Sequence, residues 1–232
     1  MKLKILTLNI NKLILDVSKE SVFDYLNSIN ADIKVLQECP FDIEHNISIL
    51  YKGDKSKKRN YTGLISELYR INDEKSLSSK IISIYPKNEL PEINILGVHL
   101  TESDLPDLKS LQNIDIHKDY HIICGDLNVG KIGSELPHNS LGAPFYLRII
   151  NDKEYCDLWK YCLENDKAFF IDFLGKKKKA DKSVFYRTFS QQKENDFILC
   201  KKAIAEKTTE MLIDYRTLSF TDHCAVIAEF EV

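Results

Sequence analysis

The 232-residue sequence is 44% apolar and carries 32 Lys and Arg against 35 Asp and Glu, a net charge of −3. That balance gives no overall pull toward nucleic acid, although a local basic patch can still supply one. No apolar run reaches the roughly 18 residues of a membrane span, and the N-terminal stretch, broken by Lys4 and ending in Asn9 and Asn11, lacks the form of a signal peptide.

The chain reads as soluble and cytoplasmic, sized for one large domain. Its eight glycines are too few for flexible tethers. The six cysteines (Cys39, Cys124, Cys156, Cys162, Cys200 and Cys224) form no Cys-x-x-Cys pair. Four of them sit in apolar stretches, where a thiol behaves as a small hydrophobe.

Taken in order, residues 2–9 form a strand apolar on both faces, through Leu3, Ile5, Leu6 and Leu8. Ser18 can cap a helix whose stripe is Val22, Phe23, Leu26 and Ile29. Residues 33–37 are the next strand, closing on Glu38 before Pro40. Residues 64–68, 80–85 and 93–100 also read as strands. Leu105, Leu108 and Leu111 recur every three residues after a cap at Thr101 or Ser103, which predicts a helix. Residues 120–124 return as a strand, which Gly-Asp-Leu-Asn is poorly suited to continue. Asp152 is placed to cap a helix bearing Tyr155, Leu158, Trp159 and Cys162. Strands at 197–200, 211–215 and 224–232 complete the chain. Residues 52–60, 131–144 and 175–182 read as loops. The alternation predicts an α/β or α+β protein with antiparallel neighbours, because several successive strands lack a crossover helix.

The polar residues collect at strand ends. Asn9, Glu38, His99, the pair Asp126 and Asn128, Asp196, and the pair Asp222 and His223 each sit at the mouth of an apolar strand. Strand ends converge on a sheet edge, where α/β folds bind ligands. The set is carboxylate, carboxamide and imidazole with no thiol, which suits Mg²⁺ or Mn²⁺ with phosphate and not a structural zinc. An Asp-His pair can orient an imidazole to donate to a phosphoryl oxygen.

At these residues the sequence resembles the endonuclease/exonuclease/phosphatase (DNase I-like) superfamily. The matching stretches are LKILTLNIN, IKVLQE, YTGLIS, NILGVHL, IICGDLN, ENDFIL and TDHCAV, in the family's order over residues 3–228. The resemblance implies one catalytic domain over residues 1–232, a four-layer α-β-β-α sandwich of two packed mixed sheets. It further implies metal-dependent hydrolysis of a phosphate ester, most simply by a monomeric nuclease acting on DNA or RNA. Position by position, it makes Glu38 the metal-binding glutamate, with Asn9 and Asp222 beside the metal. Asp126 becomes the acid that positions the attacking water, and Asn128 the holder of nucleophile and phosphate. His99 becomes a phosphate or leaving-group contact. His223 stabilises the transition-state charge, and Asp196 hydrogen-bonds it.

Two departures stand out. Glu194-Asn195-Asp196 replaces the Arg-Ile-Asp of many relatives, and Asn11 stands where some place a second acid. Alternatives are a phosphomonoesterase, a phospholipid-head-group phosphodiesterase of the same superfamily, or a non-catalytic binding protein that keeps the fold. Two lysine-rich loops, Lys55 to Arg59 and Lys176 to Lys179 with Lys182 and Arg187, would track a phosphodiester backbone if they flank the site, with Tyr61, Phe185 and Tyr186 near them. His45, His117, His121 and His138 match no motif and read as surface or structural residues.

Overall fold

The computed structural model describes residues 1–10, 21–39, 50–51, 61–87, 92–101, 111, 115–132, 135, 140 and 142–232. Its strands are β1 (Lys2–Asn9), β2 (Ile33–Cys39), β3 (Leu50–Tyr51), β4 (Tyr61–Ile65), β5 (Tyr69–Asn72), β6 (Ile81–Pro86) and β7 (Ile95–His99). They continue with β8 (Ile122–Lys131), β9 (Tyr155–Asp157), β10 (Ala168–Ile171), β11 (Lys177–Lys179), β12 (Glu194–Lys201), β13 (Thr208–Asp214) and β14 (Ala225–Glu231).

Eight strands form one sheet in the order β11-β10-β13-β14-β1-β2-β4-β3, and six form the other in the order β5-β6-β7-β8-β12-β9. Both are mixed: β1–β2, β10–β13 and β7–β8 are parallel, and the remaining pairs are antiparallel.

Alternation along each strand sorts the apolar residues into three cores. Leu3, Ile5, Val35, Ile82, Ile95, Ile122, Cys124, Ile198, Val226 and Ala228 come from both sheets and fill the space between them. Leu6, Leu8, Leu36 and Ile227 face the other way, onto Val22, Phe23 and Leu26 of the helix at residues 21–28. Leu96, Val98, Ile123, Leu127 and Leu199 pack under Ile116, Phe145, Tyr146 and Ile149 of the helices Ile116–Asp119 and Ala143–Ile150. The result is the expected four layers, helix on sheet on sheet on helix. Among the described residues no helix is long and apolar enough to cross a membrane.

Several elements differ from expectation. β8 does not stop at Cys124 but runs through Gly125-Asp126-Leu127-Asn128 to Lys131. The polar side chains are tolerated there because each finds a partner, as shown below, while Leu127 and Val129 keep the outer face apolar. Asp196 lies inside β12, not ahead of it. The strand expected at 64–68 is shifted: β4 ends at Ile65, and Ser66 Oγ accepts from the backbone N–H groups of Leu68 and Tyr69, turning the chain into β5. The helix expected to start at Asp152 starts at Leu158. Asp157 is the cap, its carboxylate accepting from Trp159 N at 3.0 Å and Lys160 N at 3.3 Å, while Tyr155 to Asp157 pair with β12. Part of the loop expected at 175–182 is the edge strand β11. The Ser18 cap, Asn11, the loop at 52–60, the helix around Leu105 and Leu108, and His45 and His138 lie outside the described residues.

Candidate active site

Strand parity alone places most of the site. The inward series Leu3-Ile5-Thr7 ends on Asn9, Ile95-Gly97 ends on His99, and Ile122-Cys124 continues to Asp126 and Asn128. Running the other way, Cys200-Ile198 leads to Asp196. All four series point between the sheets at the same end, so polar side chains replace apolar ones where the inter-sheet core stops.

Glu38 needs an extra device, because simple alternation from Ile33 and Val35 would turn it outward. β2 carries one extra residue against β4 between Leu36 and Cys39, and Glu38 takes φ 54°. Such a bulge re-aims a side chain. It leaves Gln37 bonded to Thr7 and brings Glu38 alongside Asn9, while Cys39 returns to the outer core. Asn128, at φ 49°, lies in a similar irregularity where the β8–β12 register shifts. A non-glycine residue held in the left-handed region costs about 1–3 kcal/mol, and such residues gather at functional sites.

The polar groups interlock. Asn9 Nδ2 donates to Glu38 Oε1 at 3.2 Å and to Asp126 Oδ2 at 2.9 Å, tying the two sheets together. The other Asp126 oxygen accepts from Asn128 N at 2.8 Å. Asn128 Nδ2 donates to Leu100 O at 2.6 Å. His99 Nε2 stands 3.6 Å from Glu38 Oε1. His223 Nδ1 meets Asp196 Oδ2 at 2.8 Å, and its Nε2 lies 3.9 Å from Asp126 and 3.8 Å from Asp222. Glu38, His99, Asp126, Asn128, Asp222 and His223 all line one cavity of about 520 Å³. Asn9 and Asp196 brace it from behind. All eight residues singled out in the sequence therefore meet at one end of the sandwich.

Several supporting residues carried no sequence signal. Thr188 Oγ1 accepts from Asn195 N and Asp196 N, both at 2.9 Å, and fixes the start of β12. Thr221 Oγ1 donates to Asn9 O at 2.9 Å, and Thr217 Oγ1 to His223 O at 2.8 Å, fixing the approach to β14. Phe189 packs its ring 4.7 Å from that of His223. Gln191, Lys193 and Asn195 add to the cavity wall. At the altered motif, Glu194 pairs with Lys131 across the β8–β12 ladder, so the acid that replaces arginine has a buried cation of its own.

Electrostatics follow from burial. Burial first, and the charge of Asp196 second, push Asp126 up to about 7, against the pull of His223, Asn9 and Asn128 N. Burial also raises Asp196, with His223 opposing it. Burial would lower His223, but Asp196, Asp126 and Asp222 outweigh it and hold it at about 10, as an imidazolium at neutral pH. Among the described residues, Glu38, Asp126, Asp196 and Asp222 thus face the buried His223 cation and Lys193 on the cavity wall, and the site stays short of positive charge. The protonated His223 has no lone pair to offer a cation, so the ligating atoms beside it are the carboxylate oxygens of Asp126 and Asp196, with Glu38 and Asn9 adjoining Asp126. Oxygen donors short of a countercharge fit a hard divalent cation.

No family model matches the sequence, and no curated protein matches it. Solved structures do. The 3′-5′ exonuclease NExo from Neisseria meningitidis superposes with a TM-score of 0.67 at 18% identity, covering 99% of this chain and 100% of that one. A second structure of a Neisseria NExo, described as a 3′ phosphatase, is bound to a product DNA hairpin. An AP endonuclease from Archaeoglobus fulgidus gives 0.66 at 17%, covering 99% and 100%. The AP endonuclease LMAP from Leishmania major gives 0.69 at 11%, covering 100% and 88%. The fold is thus the DNase I-like two-sheet sandwich that these solved structures share. At these identities the likeness is one of fold, and the chemistry rests on the residues just described.

Proposed function

We propose that residues 1–232 form one catalytic domain, a divalent-metal-dependent phosphoesterase whose substrate is a phosphodiester in DNA or RNA. The observation that carries this reading is the convergence of six strands' polar residues on one cavity, with Asn9 bridging Glu38 and Asp126, and Asp196 paired to His223. Glu38, Asn9 and Asp222 would hold Mg²⁺ or Mn²⁺, which when bound neutralises phosphate charge and stabilises the departing oxygen.

The chain's own residues supply the rest. Asp126 orients the attacking water and takes its proton, a role served by a carboxyl raised toward neutrality. Asn128 holds water and phosphate without adding negative charge. His223 donates from Nε2 to a phosphoryl oxygen as charge builds, and Asp196 fixes its ring and keeps it cationic. His99, at the end of β7, contacts the phosphate or leaving group. Six free cysteines, five of them buried, suit a reducing, cytoplasmic setting.

A second reading is a phosphomonoesterase acting on a nucleic-acid end. It is favoured by the NExo structure described as a 3′ phosphatase. One experiment separates these readings. The protein, stripped with EDTA and reloaded with Mg²⁺ or Mn²⁺, is offered single- and double-stranded DNA, RNA, 3′-phosphorylated oligonucleotides, inositol phosphates and sphingomyelin. The expected result is metal-restored cleavage of internal phosphodiesters, lowered at least 100-fold in Asp126→Asn. Full turnover in EDTA, or in Asp126→Asn, would refute the assignment.

A further inference from the structure

The β10–β11 hairpin leaves the eight-stranded sheet on the same edge as the site. β10 runs parallel to β13 with Ile171 beside Asp214, and Asp214 faces Ala225 of β14, two residues after His223. β14 in turn lies beside β1, which ends on Asn9. At about 4.8 Å per strand, the tip stands about 10 Å to the side of β14 and about 15 Å from β1.

That tip is apolar and faces outward. Phe173 is 63% exposed and Leu174 83%, the highest values among the exposed large hydrophobics described. The turn is nonetheless firmly built. Asp172 Oδ1 accepts from Leu174 N at 3.0 Å and Lys176 N at 2.9 Å, and Gly175 takes the φ of 79° that closes the turn. Phe173 stacks on Tyr215 at 5.9 Å and 25°. Tyr215 lies 6.1 Å from Phe170, Phe170 5.3 Å from Tyr186, and Tyr186 5.4 Å from Trp159. An aromatic ladder therefore runs from the core to the tip. A rigid turn that shows adjacent apolar side chains to water is built for a partner.

The surrounding charge names the partner. Lys176, Lys177, Lys178, Lys179, Lys182 and Arg216 lie along this hairpin against Asp166, Asp172, Asp181, Glu210 and Asp214, six cations to five acids in a chain of net charge −3. With Lys176 and Arg216 beside the turn, the rim carries a small positive excess that favours a polyanion. Two apolar side chains beside acid-paired lysines are too little to anchor a bilayer. An exposed ring with a cationic rim instead suits bases on a phosphate backbone.

We propose that this tip is a second contact for the nucleic-acid substrate. An unpaired base stacks on the outer face of Phe173, Leu174 packs at its edge, and the backbone passes Arg216 and Lys176 on its way to His223. At about 3.4 Å per stacked nucleotide, and more where the strand is unstacked, 10–15 Å places that base within about four nucleotides of the scissile phosphate. The proposal rests on the nucleic-acid reading above.

The test uses a Phe173→Ser, Leu174→Ser double variant, which alters exposed residues and whose fold is checked by its melting temperature. Cleavage and binding are measured on single strands of about three and about ten nucleotides, in DNA and RNA, with bis-p-nitrophenyl phosphate as a probe too small to reach the tip. The expected result is about tenfold weaker binding of the longer strand, with the short strand and the small ester unchanged. The DNA and RNA arms identify which polymer the tip serves. An unchanged longer strand, or an equal loss on both lengths, overturns the proposal. So does loss of sedimentation with phosphatidylserine vesicles while oligonucleotide binding stays intact, since that makes the tip a membrane contact. A wild-type protein that neither binds nor cleaves any strand would sink the nucleic-acid reading itself, an outcome distinct from the failure of the hairpin alone.

Discussion

Asp196 and His223 are the residues whose roles are most closely set by their surroundings. The 2.8 Å contact leaves Nε2 as the atom facing the cavity, and the Asp196 charge keeps the ring protonated. Asp196→Asn retains the shape but removes that charge. Turnover is expected to fall about 10²- to 10⁴-fold with little change in KM, read from initial rates on the best oligonucleotide. A histidine outside the site makes a contrasting prediction. His121 Nδ1 accepts from Asn94 N at 3.1 Å, which requires a neutral ring, and burial together with Lys201 lowers its pKa below the ordinary 6.5. A lowered folded-state value means that its contribution is fully present above pH 6.5 and is lost as pH falls through the folded value. The melting temperature of wild type should therefore drop more between pH 7 and pH 5 than that of His121→Gln, by differential scanning fluorimetry.

At the scale of elements, legibility followed the alternation of apolar side chains. β1, β6, β7, β13 and β14 were readable because long runs of branched and apolar residues fill two cores at once. Short edge elements were not. β9 is only Tyr155–Asp157 and β11 only Lys177–Lys179, and both take their identity from a neighbour's ladder, not from their own residues. The candidate site residues were legible because an acid, amide or imidazole interrupts each apolar run, even where the strand continues past it as at Asp126, Asn128 and Asp196, while Thr188 and Thr221 were not, because a hydroxyl that braces backbone leaves no pattern in sequence. The misplaced helix start shows the same limit. Asp152 and Asp157 are equally good caps by type, and pairing of Tyr155 to Asp157 with β12 decides for Asp157. That carboxylate also accepts from Tyr146 OH at 2.8 Å, linking two helices. Asp157→Ala removes a cap and strands a buried hydroxyl, so stability should fall by about 2–4 kcal/mol in urea denaturation, with the m-value unchanged.

The whole molecule is organised around a conflict between its two sheets. Their shared core is apolar along most of its length, yet at one end it gives way to the amide of Asn9 and the acids Glu38, Asp126 and Asp196, held close together beside the His223 imidazolium. Folding must bring these charges together without water, and the raised values of Asp126 and Asp196 record that cost. A divalent cation that binds only the folded arrangement would offset it through linkage, stabilising by about 2.7 kcal/mol at a hundredfold excess over Kd. Thermal unfolding should therefore shift upward with added Mg²⁺ or Mn²⁺ and return to the starting value with EDTA, whether or not substrate is present. For a chain of this length, such a gain corresponds to roughly 5–10 °C. Glu38→Gln keeps the hydrogen bond from Asn9 but removes a charge from the ligand set, so it should fold normally and lose most of the shift. An equal shift in wild type and Glu38→Gln would place the cation elsewhere and detach Glu38 from the role assigned to it.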